Sequence, residues 1–401
     1  MAAEFKKQLK IAMLGHKRIP SREGGVEVVV GETSTLMHQK GHIVTCYNRK
    51  SPPLQGESKK STPTLKHYNG VRLKTAPTIN KRGLAAMTSS VFATIKAAFG
   101  KYDIVHFHAE GSCALIWLPK LLRKKCVVTI HGLDHKRAKW GKFAAWYILF
   151  GEKCAVRFAD EIIVLSENLQ KYFTDTYGRK TVLIPNGVTR PQITRAEQIT
   201  ESFGIKKDDY ILFLGRLVPE KGIKYLIAAF SQIKTEKKLV IAGGSSDTDD
   251  YESELKAMAQ ADSRVIFTGF VQGQLHSELY SNAYVYVLPS DLEGMPLSLL
   301  EAMSYGNCCV TSDIPECAEV MDEFGITFEQ GNVQKLQKVL QELCDNPQTV
   351  ELFKAQAADY ICGKYNWDDV TNRTLKLYGA EQEIDYYAPT GGEKIESTVS
   401  K

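Results

Sequence analysis

The sequence predicts an α/β protein with two parallel sheets in tandem, each covered by helices on both faces. Three observations predict it. Short apolar runs alternate with helical patterns along nearly the whole chain. A Pro-Asn-Gly-Val turn at 185–188 and a polar stretch at 189–201 divide the series into two. The 401 residues exceed a usual single domain, and 43% hydrophobic content supplies two cores.

In the first half, Leu9–Leu14 reads as a strand, Gly24-Gly25 as a turn, and Val26–Lys40 as a helix. His42–Tyr47 is the next strand, and Ser, Pro and Lys make 51–64 a loop. Val71–Thr75, Ile104–His108, Val127–Ile130 and Glu161–Leu165 follow as buried strands, and Val182–Ile184 ends at the turn 185–188. The second series is Tyr210–Leu214, Leu239–Ala242, Val265–Thr268, Tyr284–Leu288 and Cys308–Thr311. The domain boundary is placed near 190, and the polar residues 385–401 predict a disordered tail.

Nine cysteines without a Cys-x-x-Cys pair suit reduced, buried thiols in a cytosolic protein. No signal peptide is evident, and no apolar run approaches the roughly 20 residues of a spanning helix. The net charge of +5 is unevenly spread. Residues 1–190 hold 32 Lys and Arg against 13 Asp and Glu, a net of +19; residues 191–401 hold 19 against 33, a net of −14. A basic first half suggests an anionic partner: a membrane surface, a lipid phosphate or nucleic acid. Within it, Lys136, Arg137, Lys139 and Lys142 precede the apolar, aromatic run Phe143–Phe150. That run reads either as an interfacial helix or as a core helix with a basic cap.

The most informative segment is Glu293-Gly294-Met295-Pro296-Leu297-Ser298-Leu299-Leu300-Glu301. Pro296 suits a first helical turn, and Gly294 lets a ligand approach the backbone. The N–H groups near Met295 and Leu297 would face an anion at the helix mouth. Glu293 lies within reach of a group attached to a phosphate there, and Glu301, more than a turn inside, suits a ribose. Upstream, the strand Tyr210–Leu214 leads into Gly215-Arg216-Leu217-Val218-Pro219-Glu220-Lys221-Gly222. Arg216 offers a planar fork for phosphate oxygens and Lys221 a point charge. Two such cations can stabilise a departing diphosphate without a metal.

These motifs resemble those of the GT-B glycosyltransferases, specifically the retaining family 4 type. The pattern Glu-Gly-x-Pro-x-x-x-x-Glu falls on Glu293, Gly294, Pro296 and Glu301, and Gly-Arg-Leu…Glu-Lys-Gly on 215–222. Pro-Asn-Gly-Val matches at 185–188, and Thr-His-Gly at Thr129, His131 and Gly132, with Ile130 interposed. The run Pro20-x-Arg22-x-Gly24-Gly25-x-Glu27 is similar to bacterial cell-wall and capsule transferases, some using activated rhamnose, although Lys17 stands for the expected Arg. The resemblance implies two Rossmann-like, doubly wound domains with an interdomain cleft. The C-terminal domain, 191–366, would bind the nucleotide sugar and the N-terminal domain, 1–190, the acceptor. A helix within 367–384 would cross back to the first domain. The loop at Val271 would meet the base through its backbone.

The remaining candidates are weaker. Gly24-Gly25 is not Gly-x-Gly-x-x-Gly, but as a loop reaching the cleft Gly25 would approach the donor and Gly24 the acceptor. His131, at the end of a buried strand, suits a hydrogen bond to the transferred sugar, with Asp134 beside the acceptor. His106, His108 and Glu110 do not make a persuasive metal set. Asp247 and Asp249 formally match a metal motif but read as helix-start acids.

The resulting expectation is a retaining, metal-independent hexosyl- or deoxyhexosyltransferase without a cofactor. Glu293, His131, Arg216 and Lys221 would be catalytic; Gly25, Val271, Met295, Leu297 and Glu301 would complete the donor site. The donor would be a UDP-sugar or dTDP-rhamnose and the acceptor a lipid-linked saccharide of bacterial polysaccharide or envelope synthesis. The protein would sit on the inner face of the plasma membrane, with no nucleic-acid partner. The alternatives are a GT-B nucleotide-sugar epimerase or hydrolase, which turns over donor without acceptor, and a non-catalytic nucleotide-sugar sensor.

Overall fold

The computed structural model describes residues 8–50, 65–81, 84–136, 141–245 and 249–380. The loop 51–64, the basic residues Arg137 and Lys139, Asp247 and the tail 385–401 therefore lie outside the described residues.

The first sheet contains β1 (Lys10–Leu14), β2 (Ile43–Arg49), β3 (His67–Tyr68), β4 (Val71–Ala76), β5 (Ile104–His108), β6 (Lys125–Ile130), β7 (Glu161–Val164) and β8 (Val182–Leu183). The second contains β9 (Tyr210–Leu214), β10 (Lys238–Ala242), β11 (Val265–Gly269), β12 (Val285–Leu288), β13 (Cys308–Ser312) and β14 (Ile326–Phe328). Their orders are β3-β4-β2-β1-β5-β6-β7-β8 and β11-β10-β9-β12-β13-β14. Every pairing is parallel except β3 with β4. The inner strands β1, β5, β6, β9, β10, β12 and β13 are buried on both faces because helices cover both.

Helices α1 (Gly25–Gln39), α2 (Leu84–Ala98), α3 (Trp117–Leu121), α4 (Lys142–Phe158) and α5 (Glu167–Tyr177) belong to the first unit. The second has α6 (Gln198–Phe203), α7 (Ile223–Phe230), α8 (Asp249–Ala259), α9 (Gly273–Ser281), α10 (Leu297–Ser304), α11 (Pro315–Met321), α12 (Val333–Asp345) and α13 (Pro347–Lys364). The last helix, α14 (Trp367–Tyr378), returns to the first unit. Its Trp367, Val370, Leu375 and Tyr378 share a core with Ile11, Met13 and Val30. Lys125 Nζ donates to the Leu377 carbonyl at 2.5 Å.

Three short strands escape the sequence pattern, among them the two-residue β8 before the linker turn. β3 and β4 form a hairpin around Asn69-Gly70, both at positive φ. Asn-Gly is the residue pair such a turn demands, and it is the signal that could have revealed β3. β14 has three residues on a sheet edge and carries too little periodicity to read.

In each sheet the chain direction of strand succession reverses beside one strand: between β1 and β5, and between β9 and β12. At such a switch point the loops leaving the carboxyl ends part in opposite directions and leave a crevice. The loop before α1 leaves β1, the Gly215–Gly222 segment leaves β9, and the Glu293 segment follows β12. The fold thereby turns three distant sequence motifs toward one another.

Candidate functional site

The crevice is built where the loop after β12 meets the loop after β6. A Cβ on Gly294 would stand 1.7 Å from the His131 carbonyl oxygen. Only glycine permits that approach, and it brings Glu293 beside the His131-Gly132 turn. Behind it, the buried Asn186 of the linker donates its backbone N–H toward Met295 Sδ at 3.0 Å, and its Nδ2 to the Met295 carbonyl at 3.4 Å. The linker thus braces the Glu293 segment from below.

Pro296 does not begin the helix but caps it, with φ −77° and ψ 100°, so α10 starts at Leu297. The Leu299 and Leu300 N–H groups both donate to the Pro296 carbonyl, as the first turn requires. Across the crevice, Leu297 Cδ1 would lie 3.2 Å from a Cβ on Gly25. The N-termini of α1 and α10 therefore nearly touch. Gly24 is the N-cap of α1 and Glu27, one turn in, accepts from the Lys17 backbone N–H at 2.7 Å, which pins the preceding loop.

Lys221 and Glu293 are joined. Lys221 Nζ lies 2.6 Å from Glu293 Oε1, and Ser290 Oγ donates to the same oxygen at 2.6 Å. Their side chains are only 11% and 10% exposed, so water screens the pair little. Lys221 closes a short 3₁₀ turn after β9, from Pro219. Arg216, half-buried, stands at the end of β9 just before it. Read along the chain, these two carriers of opposite charge have separate ligand roles; the structure makes Lys221 and Glu293 partners.

Glu301 is also engaged. It pairs with Arg22, and its Oε2 lies 3.7 Å from His276 Nε2. Burial pushes the Glu301 carboxyl up, but the His276 hydrogen bond and the charges of Arg22 and His276 outweigh it and hold the group below the usual carboxylate value. A cavity of about 290 Å³ opens beside the pair, between the two units. Arg22 and Glu32 line it from one side, Gly273, His276 and Glu301 from the other. His276 had no signal in the sequence: it is a lone histidine whose meaning comes from the position of α9 against α10. Val271, buried in the second core, leads into that same α9.

Three histidines form a row below the crevice. His106 and His108 stack with ring centroids 4.4 Å apart, and His108 and His131 at 5.3 Å. His108 Nδ1 lies 3.0 Å from His131 Nε2. His106 spends both ring nitrogens, on Tyr378 Oη at 2.5 Å and Thr129 Oγ1 at 2.8 Å, so it is no metal ligand. Burial, and next the charge of His131, lower the His106 pKa to about 3; burial and the neighbouring histidines hold His108 well below its usual value. Asp134 begins the turn after Gly132 and its backbone N–H donates to Glu110 Oε1 at 3.1 Å.

Two family models meet this chain, one on each unit. The model described as "Glycosyltransferase Family 4" matches residues 23–190, and "Glycosyl transferases group 1" matches residues 195–360. The chain belongs to the GT-B glycosyltransferases. An uncharacterised glycosyltransferase of Methanocaldococcus jannaschii is 28% identical over 307 residues, 71% of this chain and 77% of that protein. The UDP-Gal:α-D-GlcNAc-diphosphoundecaprenol α-1,3-galactosyltransferase of Escherichia coli is 29% identical over 298 residues, 69% of this chain and 75% of that one. Among solved structures, HepE of Anabaena in complex with UDP and glucose superimposes with a TM-score of 0.76 at 17% identity, covering 93% of this chain and 100% of that one. At that identity the likeness speaks for the fold: two Rossmann-like α/β domains.

Proposed function

We propose that this glycosyltransferase is retaining and metal-independent, and moves a sugar from a nucleoside diphosphate, UDP or dTDP, to a saccharide acceptor. The observation that carries the reading is the Lys221–Glu293 pair beside the start of α10, with Arg216 on the same loop after β9 as Lys221. Negative charge develops on the leaving diphosphate, and in this reading the two cations and the helix N-terminus stabilise it. In this role Lys221 exchanges its bond to Glu293 for the diphosphate. Glu293 then faces the sugar ring, where positive charge develops. The departing phosphate itself takes the acceptor proton, so no further base is needed. His131, half-buried at the same edge, hydrogen-bonds the transferred sugar, and Glu301 exchanges Arg22 for the ribose. The HepE complex, with UDP and glucose on the same fold, supports a nucleotide-sugar donor.

The acceptor is lipid-linked in this reading. Phe143, Trp146 and Phe150 form an exposed aromatic ladder on α4, with 66%, 59% and 44% exposure. Its opposite face, with Ile148, Cys154 and Ala155, packs inward. Lys142 stands at its start, in the half of the chain that carries +19. Such a face inserts shallowly into an anionic membrane surface. No helix among the described residues is long and apolar enough to cross one. The Escherichia coli relative's diphosphoundecaprenol acceptor agrees with this choice.

The test is a thermal-shift and turnover screen over UDP- and dTDP-sugars with polyprenyl-diphosphate saccharides as acceptors. Product NMR reads the anomeric configuration. Transfer with retention supports the proposal; inversion, or donor turnover equal with and without acceptor, refutes it.

A further inference from the structure

Behind the His131 turn, three side chains of different elements converge. Glu110 opens the 3₁₀ turn after β5, His135 lies in the turn Asp134–Lys136 after β6, and Glu152 lies midway along α4. One ligand atom from each lies within 4.8 Å of the others. Both carboxylates are fully buried, and the His135 side chain is 17% exposed.

How the two carboxylates use their oxygens is the decisive detail. Glu152 Oε1 accepts from Tyr172 Oη at 2.9 Å and Tyr177 Oη at 2.5 Å. Glu110 Oε1 accepts from the Asp134 N–H at 3.1 Å. The other oxygen of each, and His135 Nδ1, have no hydrogen-bond partner. Each acid is thus oriented by the protein through one oxygen and presents the other to the same small space. Buried carboxylate oxygens without a partner are costly, and a cation offsets that cost. Outer hydrogen bonds of this kind are what orients metal ligands. The Nδ1 of His135 lies 3.4 Å from Glu152 Oε2. Two ligands on a tetrahedral zinc, each about 2.0–2.1 Å from the metal, stand about 3.3 Å apart.

We infer that Glu110, His135 and Glu152 bind one divalent transition metal of the zinc class, with water completing its shell. An imidazole with two carboxylates suits Zn²⁺ better than Mg²⁺ or Ca²⁺, which favour all-oxygen shells. The metal has a structural role. It ties the turn after β5, the turn carrying Asp134, and α4 into one unit. α4 already sits close there, since a Cβ on Gly151 would stand 2.1 Å from the Glu110 carbonyl oxygen.

The experiment uses the full chain, purified without chelator and then stripped with EDTA. Zn²⁺ is titrated against a chromophoric chelator, Co²⁺ is added as a spectroscopic probe, and melting is followed. One equivalent of Zn²⁺ should bind, and Co²⁺ should give the visible bands of a four- or five-coordinate site. Metal at a hundredfold excess over its Kd should raise Tm by roughly 3–7 °C. Glu152→Gln preserves the shape and an acceptor for the two tyrosines. It and His135→Gln should each abolish the cobalt bands and the Tm shift while the stripped proteins remain folded by circular dichroism. Stripped wild type that takes up neither metal overturns the inference. Binding unchanged in both variants, or a Tm response to Mg²⁺ or Ca²⁺ alone, overturns it as well.

Discussion

Lys221→Met is the sharpest test of the crevice. The substitution removes the charge and keeps most of the stem. Two losses are superimposed in it. The first is structural: Glu293, 10% exposed, keeps Ser290 alone as hydrogen-bond partner among the described residues. Removing one member of a fully buried ion pair costs about 3–5 kcal/mol; the remaining hydroxyl and the residual exposure put this case at about 1–3 kcal/mol. The second is catalytic: the diphosphate loses a charge-assisted hydrogen bond worth about 1.5–3 kcal/mol, a fall of roughly 10- to 150-fold in kcat/KM. The double variant Lys221→Met with Glu293→Gln isolates the structural loss: it restores neutrality, so urea unfolding should return to within about 1 kcal/mol of wild type. The catalytic loss is read from kcat/KM of the single variant. Arg216→Ala should lose a similar factor with little change in unfolding. Wild-type kcat/KM in Lys221→Met, together with lowered stability, would make Lys221 a structural counterion and refute its role on the diphosphate.

Glu293→Gln should lower kcat strongly with modest change in donor affinity, and Glu301→Gln should weaken nucleotide binding in calorimetry; the reverse pattern would exchange their roles. Mg²⁺ should not be required for catalysis: EDTA-treated enzyme, assayed well below its Tm, should keep its rate, and loss rescued by Mg²⁺ but not Zn²⁺ would contradict this. Neutralising Lys136, Arg137, Lys139 and Lys142, or replacing Phe143 and Trp146 by Ser, should reduce sedimentation with anionic vesicles and spare donor binding; wild type that fails to sediment at low salt would remove the membrane reading. Burial, helped by the charge of Arg49 and opposed by the Asn48 hydrogen bond, lowers the His16 pKa from 6.5 to about 4. The unfolded chain therefore binds a proton that the folded chain refuses across that window, and stability falls as pH drops from 6.5 to 4, by about 3 kcal/mol from this group. His16→Gln, which can still donate to Asn48, should flatten that part of the pH–stability curve by one proton; an unchanged slope would mean that His16 is already charged in the native state.

The sequence by itself determined the class of the fold, because apolar runs and helical periods are local and the strands are buried on both faces. All six expected strands of the first half and all five of the second appear, displaced by at most a few residues. It also singled out Glu293, Glu301, Arg216 and Lys221, because they stand in short motifs whose spacing has meaning along the chain. Tertiary structure alone decided who touches whom. Lys221 and Glu293 are 72 positions apart, Arg22 and Glu301 279, and His106 and Tyr378 272. No local pattern encodes such pairs; they exist because switch points in two sheets face one crevice and α14 folds back. The same holds for α4: its aromatic run allowed a core helix or an interfacial one, and only packing showed that one face is buried while Phe143, Trp146 and Phe150 look outward. Glu110, His135 and Glu152 are the extreme case. Along the chain Glu110 stands beside the wrong histidines, and His135 and Glu152 carry no signal; their shared unpartnered atoms arise only when two turns and a helix close on one point.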